Sequence, residues 1–318
     1  MERVVVTGAG GFIGHHMVTY LKERGYWVRG VDLKFPEFTE TDADEFEIHD
    51  LRRWDDCLHA MRGVDHVYAL AADMGGMGFI HTNHATILRN NALINIHTID
   101  AARVHGAGRY LYSSSACVYP EHLQMDADVV PLKEDDAYPA NPQDAYGWEK
   151  LISERLCEYY TDEFGIATRT VRFHNVYGAY GTYDGGREKV PAALCRKVAT
   201  AVSGGSIEIW GDGEQTRSFC FIDDCVEGIY RLMHSDHRAP INLGTDRMVS
   251  INELARIVIE LSGKRDITLE HVSGPQGVRG RNSDNDRLRE VLGWEPQVSL
   301  EDGLAPTYRW IEKQVCDS

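Results

Sequence analysis

Val4-Val5-Val6-Thr7-Gly8-Ala9-Gly10-Gly11-Phe12-Ile13-Gly14 reads as an apolar strand, a glycine turn and the opening of a helix. Glycines at 8, 11 and 14 allow the tight turn, the approach of backbone to a pyrophosphate and close packing of helix on strand. The free N–H groups of the first helical turn, at Phe12 and Ile13, face the anion. Asp32 lies 18 residues past Gly14 at the end of a second apolar run, where a carboxylate bonds a ribose hydroxyl. That carboxylate favours NAD over NADP because it would repel a 2′-phosphate, although Arg29 and Lys34 nearby temper the preference. Asp50 and Leu51, after a third strand, could cover an adenine or be ordinary loop residues.

Outward from this stretch, Trp27-Val28-Arg29-Gly30-Val31, His66-Val67-Tyr68-Ala69-Leu70, Arg109-Tyr110-Leu111-Tyr112 and Ala167 to Arg172 alternate with segments of helical period. Short buried strands separated by helices specify a parallel sheet covered on both faces, so the fold expected is α/β, a Rossmann doubly wound sheet with a smaller C-terminal substrate-binding lobe. Past Asn175 the chain turns glycine-rich, Gly178 to Gly186, and its periodicity weakens. This suggests a dinucleotide-binding unit over 1–175 and a substrate lobe mainly over 176–318, with some segments returning to the sheet. The 318 residues carry a formal charge of -16, which argues against nucleic acid or an anionic membrane as partner. A local group of Arg and Lys can still hold a small diphosphate. The start of the chain has no secretory pattern and no apolar run is long enough to span a bilayer, so a cytoplasmic protein is expected. Seven cysteines, an odd number without a CxxC pair, suggest neither a disulfide framework nor a zinc knuckle, and no metal is expected.

Ser113-Ser114-Ser115-Ala116-Cys117-Val118-Tyr119 follows the Arg109 strand, and Tyr146-Gly147-Trp148-Glu149-Lys150 comes some thirty residues later. Spacing of i, i+4 puts Tyr146 and Lys150 on one helical face, where the ammonium should lower the phenol toward neutrality and make it a usable base. Together with the glycine turn, this pattern resembles the extended short-chain dehydrogenase/reductase family, from Gly8 to Leu292-Gly293-Trp294-Glu295-Pro296. Asn91, the run Arg172 to Gly178 and the run Gly211 to Phe219 are further marks of it. The resemblance implies that Ser115 and Tyr146 contact a sugar hydroxyl that is oxidised, that Lys150 bonds the nicotinamide ribose, and that the substrate is a nucleotide diphosphate sugar. It also implies a homodimer pairing through the helices around 91–102 and 146–159.

A dehydratase would carry Asp-Glu after its Ser/Thr; Ala116-Cys117 stands here instead. Ala72 to Ile80, Ser115 to Pro120, Gly185 to Lys189 and Gly277 to Asn285 resemble the GDP-mannose 3,5-epimerase branch of the family. What that branch implies is NAD-dependent conversion of GDP-D-mannose to GDP-L-galactose, with GDP-L-gulose possible: C4 is oxidised, C3 and C5 are deprotonated and reprotonated, and C4 is reduced again. By the same resemblance Cys117 is the base and Lys189 the acid. A free thiol titrating near 8.5 is mostly protonated at neutrality, so Cys117 needs positive charge beside it. Arg217 and Arg279 are the candidates for the diphosphate, since guanidinium forks suit it. Gly75, Met77, Asn175, Glu188 and Lys197 are implied as further substrate contacts. An epimerase or epimerase/reductase acting on another sugar nucleotide, and a non-catalytic NAD-binding regulator, stay open at this point; the intact Ser115, Tyr146 and Lys150 speak against the regulator.

Overall fold

The computed structural model describes residues 1–274 and 277–317, apart from the Met77 side chain. The chain runs β1 (Arg3–Thr7), α1 (Phe12–Glu23), β2 (Trp27–Asp32), β3 (Glu45–Ile48), α2 (Trp54–Ala60), β4 (His66–Ala69), α3 (Met77–Thr82), α4 (His84–Val104) and β5 (Arg109–Ser115). It continues through α5 (Ala145–Phe164), β6 (Ala167–Phe173), β7 (Val176–Tyr177), α6 (Val190–Thr200), β8 (Ser206–Trp210), β9 (Thr216–Arg217), β10 (Cys220–Phe221), α7 (Ile222–His234) and β11 (Ile241–Leu243). The last elements are β12 (Val249–Ser250), α8 (Ile251–Ser262), β13 (Thr268–Val272), β14 (Gly280–Arg281), α9 (Asp286–Leu292) and α10 (Leu300–Cys316).

Seven parallel strands form the central sheet in the order β11-β6-β5-β4-β1-β2-β3, with the order reversing between β1 and β4. Period-2 alternation feeds two cores. Val4, Val6, Tyr68 and Leu111 face Met17 and Leu21 of α1 and Val226 and Ile229 of α7, whereas Val5, Val67, Tyr110 and Tyr112 face Cys57, Ile99 and Cys157 from α2, α4 and α5. Both faces being apolar, the strands lack the polar alternation of a one-sided sheet. The doubly wound architecture expected from the sequence is the one found. The edge strand β11 is too short for its period to be read; it arrives from the second half of the chain, after α7 has crossed to cover the α1 face.

Beyond Asn175, helices α6, α8 and α10 pack on one another, β8 pairs with β13, and β9 is flanked by β12 and β14. This layer stands over the carboxyl ends of the sheet strands, the ligand-binding edge of such folds. No helix among the described residues is long and apolar enough to cross a membrane.

Candidate active site

A cleft of about 1060 Å³ opens at the switch point, walled by the glycine turn on one side and by 175–281 on the other. Gly8, Gly11, Phe12, Ile13, Gly14, Asp32, Asp50 and Leu51 all line it. A Cβ at Gly14 would fall 2.0 Å from the Gly8 carbonyl oxygen, so only glycine lets α1 begin this close to the turn. Gly11 is the N-cap residue of α1 and no side chain caps the helix, leaving its first N–H groups to an incoming anion. Asp32 accepts from the backbone N–H of Gly10 at 3.0 Å and of Leu33 at 2.6 Å; burial raises its pKa against those bonds. Asp50 is clamped by Arg52 at 2.7 Å, which holds its carboxyl below the usual range, and Leu51 is buried beside it. The uncapped helix, the glycine cradle and the ribose-facing carboxylate fit NAD.

Helix α5 starts on Asp144, whose carboxylate accepts from Gly147 N–H at 2.8 Å, and this start presents Tyr146 and Lys150 to the end of β5. Lys150 is buried and donates to the Ser113 carbonyl at 2.7 Å, with Nζ 5.6 Å from the centre of the Tyr146 ring. The Tyr146 phenol is not lowered toward neutrality as the spacing of Lys150 suggests. Burial drives the Tyr146 phenol well above the ordinary tyrosine range, Cys117 and Glu149 push the same way, and a hydrogen bond from Ser115 opposes them. Burial also lowers Lys150. Desolvation of the pair therefore outweighs the simple effect of a cation four residues away.

Cys117 lies on the turn Ala116–Val118, where its backbone N–H donates to Ser115 Oγ at 3.2 Å, and its side chain packs with Tyr146 and Ile80. Among the described cysteines it is the one lining the cleft. Arg281 Nη1 donates to Cys117 Sγ at 3.3 Å, while its Nε is held by Gln124 Oε1 at 2.5 Å. A guanidinium thus stands against the thiol, on Arg281, a residue outside the candidates named from the sequence. Lys189 precedes α6. Water in the cleft reaches it, but protein surrounds it, and desolvation lowers its ammonium below the usual lysine range against the pull of Cys117.

The remaining substrate candidates divide. Gly75, Asn175, Glu188, Lys197 and Arg217 line the cleft. Asn175, in a left-handed conformation, donates to the Ser218 carbonyl at 2.8 Å, and Lys197 donates to that of Glu208 at 2.7 Å. Glu188 accepts from Gly186 N–H at 2.7 Å. Burial and then the charge of Arg281 lower Arg217 to about 9, so two guanidiniums share one corner of the cleft. Arg279 does not join them. Its guanidinium grips Asp212 at 2.7 and 2.9 Å on the outer surface, and it is absent from the cleft lining. Met77 opens α3, and its side chain lies outside the described residues. The adjacent glycines serve a contact not foreseen: a Cβ at Gly76 would fall 2.7 Å from the Glu188 carbonyl oxygen, so the loop closes on the Lys189 segment.

Residues 4–244 match the model of the NAD dependent epimerase/dehydratase family. GDP-mannose 3,5-epimerase 1 of Oryza sativa subsp. japonica is 53% identical, over 98% of this chain and 82% of its own length. GDP-mannose 3,5-epimerase of Arabidopsis thaliana is 52% identical, over 98% of this chain and 83% of its own. The fold is similar to UDP-glucuronic acid 4-epimerase from Bacillus cereus, solved with UDP-glucuronic acid and NAD, at a TM-score of 0.84 and 26% identity, covering 98% of this chain and 99% of that one.

Proposed function

Because this chain belongs to the NAD dependent epimerase/dehydratase family, with NAD as its cofactor and a nucleotide sugar as its substrate, we propose that it inverts C3 and C5 of GDP-mannose to give GDP-L-galactose. Inversion at C5 alone gives GDP-L-gulose. The observation that carries this reading is the presence of a thiol and an ammonium, Cys117 and Lys189, in the same cleft as Ser115, Tyr146 and Lys150. Hydride transfer has no use for the first two; removing and returning a carbon-bound proton does.

Tyr146 takes the proton of the C4 hydroxyl while Ser115 holds that hydroxyl in place. NAD, when bound, supplies the acceptor for the C4 hydride, a positive charge and the later return of the hydride. A desolvated phenol needs a cation to ionise, and Lys150 is the residue of this chain placed to provide one. A ketone at C4 acidifies the C–H bonds at C3 and C5. Cys117, supported by Arg281, removes a proton from one face, and Lys189, its ammonium made more acidic by desolvation, returns one to the other. Arg217, with Arg281 beside it, takes the diphosphate in place of the pair with Arg279. Gly75, Met77, Asn175, Glu188 and Lys197 surround the sugar and its nucleotide, and Gly8 to Gly14 with Asp32, Asp50 and Leu51 hold NAD.

The division into a dinucleotide unit over 1–175 and a substrate lobe mainly over 176–318 belongs to the same reading. So does a homodimer, since α4 and α5 lie side by side and expose Ile96, Trp148, Ile152 and Tyr159. Seven free thiols suit a reducing compartment, which supports a cytoplasmic protein, and the charge of -16 supports the absence of nucleic-acid and membrane partners.

The test is turnover of GDP-mannose in heavy water. Deuterium should enter C5 and, to a lesser degree, C3, while C4 keeps its hydrogen and no reduced nicotinamide accumulates. Conversion without deuterium at C3 or C5 would reduce the enzyme to a 4-epimerase, and net consumption of reduced nicotinamide would make it a reductase.

A further inference from the structure

On the outer side of the cleft wall, Glu47 at the end of β3, His49 two residues on and His59 of α2 bring their donor atoms within 4.8 Å of one another. We propose that these three residues form a divalent transition-metal site, with zinc as the ion best matched to the donor set. His49 Nε2 stands 3.3 Å from Glu47 Oε2, and His59 Nε2 stands 3.5 Å from Glu47 Oε1. Four ligands at about 2.0–2.1 Å around a tetrahedral ion lie roughly 3.3 Å apart, and each imidazole stands at about that separation from one of the two carboxylate oxygens of Glu47. None of these contacts meets hydrogen-bond geometry, and Glu47 Oε2 is buried without a hydrogen-bond partner.

Two imidazoles and a carboxylate with a fourth position open to water form a zinc-type set; calcium and magnesium prefer all-oxygen sets. Its neighbours agree with this. Asp56 Oδ1 lies 3.7 Å from His49 Nδ1, where a carboxylate orients a metal-bound imidazole. Arg29, the cation nearest Glu47 at 3.5 Å, is already held by Glu45 at 3.0 Å and by the carbonyls of Ala60 and Arg62. Water reaches His59, so an ion has a way in. The site is also joined to the cleft: Asp56 Oδ2 accepts from Asp50 N–H at 3.0 Å, and His49, Asp50 and Leu51 all line the cleft wall. An ion here would tie the end of β3 to α2 and stiffen the wall that carries Asp50. Glu47-x-His49 and a histidine ten residues later match no ligand spacing, and it is the turn from β3 into α2 that brings them together.

The test is zinc binding to the metal-stripped full chain, measured by competition with a chromogenic chelator, with cobalt as a spectroscopic probe of geometry. One equivalent should bind, cobalt should give the visible bands of four-coordination, and zinc should raise the thermal midpoint. His59→Ala, at an exposed position, and Glu47→Gln should each weaken that equivalent by more than about tenfold, and Asp56→Asn by about tenfold. Both ligand variants should stay folded by circular dichroism and lose the thermal shift. A wild-type chain that takes up no more zinc than the His49→Ala/His59→Ala double variant would overturn the site. So would affinities unchanged within about threefold in both folded single variants.

Discussion

At the scale of single residues, proton chemistry is set by what surrounds each group. Tyr146→Phe removes a phenol but little packing, so the fold and NAD binding should survive while turnover falls by about 10² to 10⁴. Activity within a few-fold of wild type would remove Tyr146 from the mechanism. Cys117→Ala should abolish deuterium entry at C3 and C5 read by NMR, yet leave exchange of the C4 hydride with the bound cofactor. Arg281→Ala should depress the same deuterium entry, because it strips the charge held 3.3 Å from the sulfur; unchanged washout would show that the guanidinium serves the diphosphate alone. Ser115, Tyr146 and Lys150 were legible in the sequence because a strand end and one helical turn fix their spacing locally. Arg281 was not, since it reaches Cys117 across 164 positions, and nothing in Arg279-Gly280-Arg281 says which guanidinium turns inward. The shift of Tyr146 was also illegible, because spacing reports a nearby cation while desolvation depends on the whole enclosure.

At the scale of elements, strands and helices matter here for where they begin. Helix α1 starts against the Gly8 carbonyl, so Gly14→Ala should push the helix off the turn at about 1–3 kcal/mol of stability and weaken NAD by an order of magnitude. Calorimetric titration and thermal melting check both; a variant matching wild type in each would mean that the turn adapts. The exposed stripe on α4 and α5 supports pairing of two chains, and Ile152→Glu should halve the mass seen by light scattering with little change in the fold. A wild-type monomer would end that proposal. The glycine turn and five of the sheet strands could be read from period alone. Three-residue β11 and the two-residue β9 and β14 could not, because elements so short have no period and owe their existence to neighbours.

At the scale of the whole molecule, buried polar groups tie the layers together. Arg172 of β6 pairs with Glu154 of α5 at 2.7 Å, both buried, and also donates to Tyr119 and to the Glu134 carbonyl. Next to it His174 is fully buried, and its pKa is pushed down to about 3 by burial and by Arg281 and Arg172, against the bond to Asn242. The unfolded chain takes a proton at this residue near 6.5 and the folded one does not. Its contribution to stability is therefore complete above that pH and is lost as pH falls toward 3, at up to about 1.4 kcal/mol per unit. Thermal midpoints measured between pH 7 and 4 should fall, and should fall less in His174→Gln; parallel slopes would acquit the residue. The doubly wound plan and the return of some later segments to the sheet were visible in the chain, whereas which segments return was not. Strand β11 and helix α7 come from beyond residue 220, yet complete the edge of the sheet and one of its faces. A gene cut after residue 175 would accordingly not release a smaller working part. Its product should be insoluble when made alone, with one flank of β6 and the α1 face bare, and should regain solubility only when 176–318 is made in the same cell.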